Sequence, residues 1–304
     1  MKKIVVTNNQ SLTTEQRARL DGLGDVTYYD YVPQGAEEYL ERVKGADIIC
    51  SGTAGLQDAY SQLKDVYVTV SFVSVAFVDL DVMKANNVKV SNAPGANRYA
   101  VSEWIIGMMI IMSRNLDTFL NRKESLRKDG NLPPLTPGLA QKTVTILGKG
   151  NVGTRVGEIA SSLGMTVSYF GRDDDLHKAV NDADYVVNTL SSNPSTHDLL
   201  NADFFAAMKE GSYFVDVTRD EVTDTNAMLK AIDDGKLAGA ASDCGGILVG
   251  DTDDPLYQKL LDHPKVYVTP HISYNTPLSM KMGADIMIDN VEAWIKGEPQ
   301  NVLN

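Results

Sequence analysis

The chain is poor in cysteine, in histidine and in positive charge, and it has no long apolar run. Its two cysteines, Cys50 and Cys244, sit far apart in apolar, strand-like stretches. Such a pair reads as reduced buried thiols rather than a disulfide or metal site, which points to a reducing, cytoplasmic setting. With 28 Lys and Arg against 40 Asp and Glu, the formal net charge is −12. An acidic chain repels phosphate backbones, so nucleic acid is not expected as a partner. The densest basic run, NRKESLRKDG at 121–130, also carries Glu124 and Asp129 and reads as a solvated helix face. The most apolar stretch, WIIGMMIIM at 104–112, is too short to cross a bilayer, so no membrane is expected. It reads as a buried core or subunit-interface helix. Met1-Lys2-Lys3 leads straight into Ile4-Val5-Val6, and no signal peptide is read there.

What is present is a soluble globular composition, 43% hydrophobic and 22% charged over 304 residues. That length suits one large or two medium domains. Short β-rich runs alternate with helix-period stretches. In the first part the strand candidates are KIVVT (3–7), VTYYD (26–30), DIICS (47–51), VYVTVSF (66–72) and VKVSN (88–92). In the second they are TVTILG (143–148), TVSYFG (166–171), YVVNTL (185–190), SYFVDV (212–217), GAASDC (239–244) and KVYVTP (265–270). Amphipathic stretches such as TEQRARLDGL, VGEIASSLG and TNAMLKAIDDGK lie between them. Strand–helix–strand alternation predicts an α/β fold with parallel sheets covered on both faces. A long helix is expected from about Arg98 to Arg127, at the boundary between two units. The Pro/Gly-rich GNLPPLTPGLAQ (130–141) then reads as a loop. Residues 277–304 are expected to be helical up to about Lys296 and to fold back on the first unit.

One segment carries a recognisable chemistry. In TVTILGKGNVGTRVGEIA, Gly148, Gly150 and Gly153 have G-x-G-x-x-G spacing between a strand and a helix, the context that gives the motif meaning. Gly148 allows the tight turn, Gly150 the approach of a pyrophosphate and Gly153 close helix packing, with Asn151 and Val152 completing the loop. The helix N-terminus then offers N–H groups to phosphates. After the next strand, an NAD site normally carries an acid for the ribose 2′-hydroxyl. Here Gly171 and Arg172 fall at that place, which favours NADP over NAD. The following Asp173-Asp174-Asp175 could instead claim Arg172 in salt bridges.

Only four histidines occur, and His271 alone ends a strand, in KVYVTPHISYNT. With the glycine loop and FVDVTRDEVTDTNAML (214–229), the chain resembles the D-isomer-specific 2-hydroxyacid dehydrogenases. VKVSNAPGANRYAVSEW (88–104), VDLDVMKANNVKV and TPHIS resemble further family segments in the family's order, so the likeness spans nearly the whole chain. The resemblance implies two Rossmann-like domains, each with a parallel sheet. A flavodoxin-like substrate domain would be built from 1–97 plus 277–304, with a dinucleotide-binding domain, 98–276, inserted in it and the active site in the cleft. It also implies a homodimer through the helix that contains Trp104–Met112, and, at 304 residues, no C-terminal regulatory domain of the kind longer phosphoglycerate dehydrogenases carry.

The implied reaction is hydride transfer between nicotinamide and a 2-keto or 2-hydroxy acid of D configuration. A cation must hold the carboxylate and polarise the carbonyl, which suits Arg219. A general acid must protonate the forming alkoxide, which suits His271. Backbone donors at Val73 and Ser74 would complete the substrate site. Thr218 and Asp243 would face the cofactor, Asp243 near the nicotinamide carboxamide. Taken singly, Arg219 reads as a surface arginine paired with Asp220 or Glu221, and His271 as a core histidine. Together, at strand ends where α/β ligands bind, they read as a site.

The pattern also breaks. The family's glutamate partner of the histidine falls at Leu248, followed by Val249, and the nearest carboxylate is Asp251. In SFVSVAFVD (71–79), Ser74 takes a glycine position, and Ala76 and Phe77 replace a polar pair. Phe77 is expected to narrow or dry the pocket entrance. Ser191 replaces a proline usual after the third strand of the second unit. Two readings stand: a working reductase with a less basic histidine and an altered substrate, or a dinucleotide-binding regulator or scaffold that has lost turnover.

Overall fold

A computed structural model describes residues 1–120, 135–219, 221–243 and 253–304. It forms two units, Met1–Asn97 with Asn275–Asn304, and Arg98–Tyr274.

The first unit opens with β1 (Lys3–Val6), α1 (Thr14–Asp21), β2 (Asp25–Tyr28), α2 (Ala36–Val43) and β3 (Ile48–Ser51). It continues with α3 (Leu56–Ala59), β4 (Tyr67–Val70), α4 (Leu80–Ala85) and β5 (Lys89–Ser91). The strands pair in parallel in the order β2-β1-β3-β4-β5. Every residue of β3 and β4 is buried, as inner strands of a sheet covered on both faces require. Successive side chains point to opposite faces, so neighbours feed different cores. Val5, Ile49 and Val68 pack with Tyr39 and Met83. Ile4, Val6, Ile48 and Cys50 pack on the other face. Burial pushes the Cys50 thiol up to about 12, so it stays protonated.

The second unit begins with α5 (Arg98–Arg114), α6 (Leu116–Phe119), β6 (Thr143–Leu147), α7 (Asn151–Ser162), β7 (Thr166–Phe170) and α8 (Leu176–Val180). It goes on through β8 (Tyr185–Asn188), α9 (Ala202–Ala207), β9 (Ser212–Asp216), α10 (Thr225–Asp233), β10 (Leu237–Ser242), α11 (Pro255–Asp262) and β11 (Val266–Val268). All pairings are parallel, in the order β11-β10-β9-β8-β6-β7. One face (Val144, Ile146, Val187, Val215) packs against Ile105 and Met109 of α5 and Val156 of α7. The other (Val186, Phe214, Ala240) packs against Phe204, Met228 and Leu260. The long helix expected to reach Arg127 stops at Arg114. Asn115 takes a left-handed φ of 47°, which no continuing helix accepts. The basic run at 121–130 lies outside the described residues. No helix among the described residues is long and apolar enough to cross a membrane.

The chain then returns to the first unit as α12 (Pro277–Lys296), capped by Thr276, started by Pro277 and ended by Gly297 at φ 78°. Met287, Ile288 and Val291 complete the second core of that unit, and Trp294 stacks on Tyr67 with centroids 4.1 Å apart. Asn290 is fully buried. Its amide donates to Thr69 Oγ1 (3.2 Å) and to the Asn92 carbonyl (2.9 Å), and its oxygen accepts from Asn301 (2.8 Å). Asn290→Leu leaves those groups buried without a partner. It is expected to destabilise the protein by about 2 kcal/mol or more, read as a lower urea midpoint.

Candidate active site

In the second unit the parallel order turns every strand's C-terminal end to one edge, and the site residues lie just beyond those ends. At β6 the chain turns at Gly148, whose φ is +96°. Its N–H donates to the Phe170 carbonyl at 3.1 Å. The Thr189 hydroxyl, just past β8, donates to the carbonyls of Leu147 (2.9 Å) and Gly148 (3.2 Å) and clasps the turn. A Cβ on Gly153 would stand 2.1 Å from the Gly148 carbonyl oxygen, so only glycine lets α7 start this close to β6.

Where other helices start, a side chain accepts first-turn N–H groups: Asp175 for α8, Asp224 for α10, Asp254 for α11. Gly150 gives α7 no such cap, and a Cβ there would meet nothing within 4 Å. The residues therefore fit a dinucleotide: open space over Gly150, and N–H groups at Asn151 and Val152 aimed along a positive helix end. A cavity of about 480 Å³ adjoins this start, lined by Arg98, Lys149, Gly150, Asn151, Thr154 and Arg155, among others. The guanidinium groups of Arg98 (4.5 Å) and Arg155 (5.6 Å) both stand over the Tyr99 ring, and the Lys149 ammonium stands 5.0 Å from the Tyr169 ring. Glu158, which also lines the cavity, pairs with Arg155 at 2.8 Å, so Arg98 and Lys149 leave the wall with a net positive charge in a strongly acidic chain.

Past β7, Arg172 is exposed. The acids after it are engaged elsewhere. Asp174 accepts the Gly171 N–H at 2.7 Å, and Asp175 caps α8 and pairs with Lys178 at 3.5 Å. No ion pair of Arg172 forms among the described residues, so the competition expected from the acidic run does not occur.

Past β9, buried Asp216 accepts both the N–H and the hydroxyl of Thr218, each at 2.8 Å. Asn188, fully buried at the end of β8, donates to Asp216 (3.2 Å), Thr218 (2.8 Å) and Thr223 (3.2 Å). The Thr218 hydroxyl, expected at the cofactor, is thus committed to this knot. The knot fixes the turn from which half-buried Arg219 projects, and the Arg219 carbonyl closes that turn on the Val222 N–H at 2.9 Å.

Past β10 comes Asp243, 2% exposed. Its carboxylate accepts the Thr269 hydroxyl at 2.5 Å and the N–H groups of Ile272 (2.9 Å) and Ser273 (2.8 Å). Between those partners, past β11, stands His271, at the left-handed φ of 53° and with its N–H on the Thr269 carbonyl at 3.0 Å. Its ring meets Tyr274 edge-on at 5.3 Å. The His271 imidazole is held below its ordinary value, chiefly by burial; the Asp243 charge opposes this and the Arg219 charge adds to it.

The strand ends bring Arg219, Asp243 and His271 together in the second unit. Val73 and Ser74 belong to the first, in the loop after β4, where Asn92 donates to the Val73 carbonyl at 2.5 Å. Phe77, expected at a pocket entrance, packs with Phe72 against the first unit's own core. Ser191 offers its carbonyl to the Thr196 hydroxyl at 2.7 Å. Leu248, Val249, Asp251 and Cys244 lie outside the described residues. Sequence reasoning missed Thr189, Asn188, Arg98 and Arg155; only Lys149, inside the glycine motif, carried a local signal.

Residues 106–273 match the family described as D-isomer specific 2-hydroxyacid dehydrogenase, NAD binding domain. The chain is 28% identical over 283 residues to a glycerate dehydrogenase of Methylorubrum extorquens, covering 88% of each. It is 30% identical over 196 residues to a D-3-phosphoglycerate dehydrogenase of Escherichia coli, covering 61% of this chain and 48% of that one. Among solved structures, a glyoxylate reductase of Paecilomyes thermophila has the same fold, with a TM-score of 0.84 at 21% identity over 99% of this chain and 98% of that one.

Gly153→Ala is expected to force α7 away from Gly148, because the clash is with backbone. Overpacking of this kind costs on the order of 1–3 kcal/mol, and calorimetry should show a lower melting temperature.

Proposed function

The chain belongs to the D-isomer specific 2-hydroxyacid dehydrogenases, and on that premise we propose that it reduces a 2-keto acid to the D-2-hydroxy acid, with Arg219 and His271 as the working side chains. The observation that carries this reading is the order β11-β10-β9: three adjacent strands end in His271, Asp243 and Arg219. Arg219 is near enough for its charge to act on His271.

A nicotinamide cofactor supplies the hydride when bound. The chain's own residues do the rest. The Arg219 guanidinium offers parallel N–H donors to the substrate carboxylate and polarises the adjacent carbonyl. A ring N–H of protonated His271 gives its proton to the C2 oxygen as that oxygen gains charge, and in the reverse direction the neutral ring takes it back. Backbone donors of the Val73–Ser74 loop are assigned to the carboxylate. The uncapped start of α7 and the cations Arg98 and Lys149 are assigned to the cofactor diphosphate, and Arg172 to a 2′-phosphate, so NADP is preferred over NAD. A homodimer through α5, whose Trp104, Met108 and Ile110 are half-buried, and a cytoplasmic setting belong to the same proposal. The regulator reading rests on the missing family glutamate, at Leu248 outside the described residues, and on the altered loop at 71–79; the presence of Arg219 and His271 beside Asp243 supports the reductase.

The protein should be titrated with NADPH and NADH, followed by cofactor fluorescence, and then offered a panel of 2-keto acids. Lys149→Met should weaken both cofactors alike, and Arg172→Ala should weaken NADPH by about tenfold or more while sparing NADH. Oxidation lost in His271→Ala supports the reductase; binding of neither cofactor defeats the reading.

The lowered His271 pKa sets a sign. Reduction needs the imidazolium, so its rate should fall, as pH rises, at a pH below that of an ordinary histidine. Oxidation needs the neutral ring and should persist to correspondingly lower pH. An alkaline limb of the reduction profile above the ordinary histidine range would contradict this.

A further inference from the structure

Resting on the reading of the Val73–Ser74 loop as the holder of the substrate carboxylate, we propose that Gln10 and Gly283 are positioning residues for that loop, which they serve by holding Ser71 from two sides. The loop leaves β4 with its carbonyls engaged one after another. The Phe72 carbonyl accepts the Ala93 N–H at 3.0 Å, and the Val73 carbonyl accepts the Asn92 amide at 2.5 Å. Both partners are buried. Across a trans peptide the N–H points away from the carbonyl, and these peptides are trans. Two carbonyls turned toward buried partners therefore turn the N–H groups of Val73 and Ser74 outward. Neither N–H has an acceptor among the described residues.

Where those peptides lie is set one residue earlier, at Ser71. Its hydroxyl donates to the Gln10 oxygen at 2.8 Å. A backbone group dictates the direction of this bond. The Gly52 N–H, just past β3, takes the Asn8 oxygen at 3.0 Å, and the Gln10 amide nitrogen donates to that same oxygen at 2.8 Å. With its nitrogen so committed, Gln10 presents its oxygen to Ser71. The relay joins the ends of β1, β3 and β4, three neighbours in the first sheet. From the other side comes α12. Gly283 is buried inside this helix, where glycine is disfavoured and so calls for a packing reason. The reason is Ser71: a Cβ on Gly283 would stand 1.9 Å from the Ser71 carbonyl oxygen. Gln10 thus holds the side chain of Ser71, and Gly283 leaves room for its carbonyl against the helix. All three residues belong to the first unit.

A carboxylate is held alike in the ground state and the transition state, so donors that lose their aim raise KM and spare kcat. The experiment uses the full chain, saturated with NADPH or NADH, and every acid of the panel that it reduces, with glyoxylate, pyruvate and phenylpyruvate among those offered. These acids share the carboxylate and differ in the side chain. Ser71→Ala and Gln10→Leu should each raise KM about fivefold or more, by a common factor for all acids, with kcat held within about twofold and cofactor affinity unchanged. Ser71→Thr keeps the hydroxyl and should restore KM. The double variant should be no worse than either single one, because both cut the same relay. Gly283→Ala should raise KM further, because its clash is with backbone. An unmoved KM in Ser71→Ala and Gln10→Leu overturns the proposal, and so does a loss confined to kcat. Those two half-buried sites keep the test standing even where Gly283→Ala does not fold. Wild-type protein that reduces no acid of the panel is a different result: it defeats the functional reading, and this proposal with it.

Discussion

A parallel sheet sends every strand's C-terminal end to the same edge, and the site in the second unit depends on that constraint. Six strands, in the order β11-β10-β9-β8-β6-β7, deliver the histidine, the aspartate, the arginine, the threonine clasp, the glycine loop and Arg172 along one line. None of these residues is close to the others in sequence. Their meeting follows from hydrogen bonds between parallel strands, and the buried faces of those strands fix the register. The direction of the chain changes sides at β6, between β8 and β7, and the crevice of an open α/β sheet forms at such a point.

The supports of the site share a chemical device. At three strand ends a buried or half-buried polar side chain ties the end of one strand to that of its neighbour: Thr189 to the carbonyls at the end of β6, Asn188 to Asp216 and Thr218, Asp243 to the turn after β11. Each tie satisfies groups that would otherwise be buried without partners, and each fixes a functional backbone to a strand rather than to solvent.

Much of this was legible in the sequence, for reasons that are local. The glycine loop announces itself because a tight turn, an open approach and a close helix contact must recur at set spacing. His271 and Arg219 could be placed at strand ends because β-branched runs mark the strands. The extent of α12, expected from 277 to about Lys296, matches the helix Pro277–Lys296. The supports were not legible. That Thr189 reaches the carbonyl of Leu147, or that Asp243 reaches the amide of Ser273, is decided by which strands become neighbours, and no spacing in the chain encodes that pairing. Asn115, a residue that tolerates the left-handed region, broke a helix whose apolar periodicity gave no warning. Phe77 is expected at a pocket entrance because it replaces a polar residue in the stretch that resembles the family's substrate loop; the sequence does not show that it also packs against the core of the first unit.

The return of α12 has a consequence for how the molecule is made. The second unit is one continuous stretch, Arg98–Tyr274, and holds all the strands of its own sheet. The first unit's sheet is synthesised earlier, yet one of its two cores needs Met287, Ile288 and Val291, which are made only after the whole second unit. Until then Ile4, Ile48 and Tyr67 have only α1, through Leu20, and its flanking residues as cover on that face. Domains fold as units during synthesis, ordinarily N-terminal first. Here that order is inverted: the inserted unit can complete itself while the first-made sheet waits, half-covered, for α12, and the protein's exposure to misassembly is concentrated in that interval.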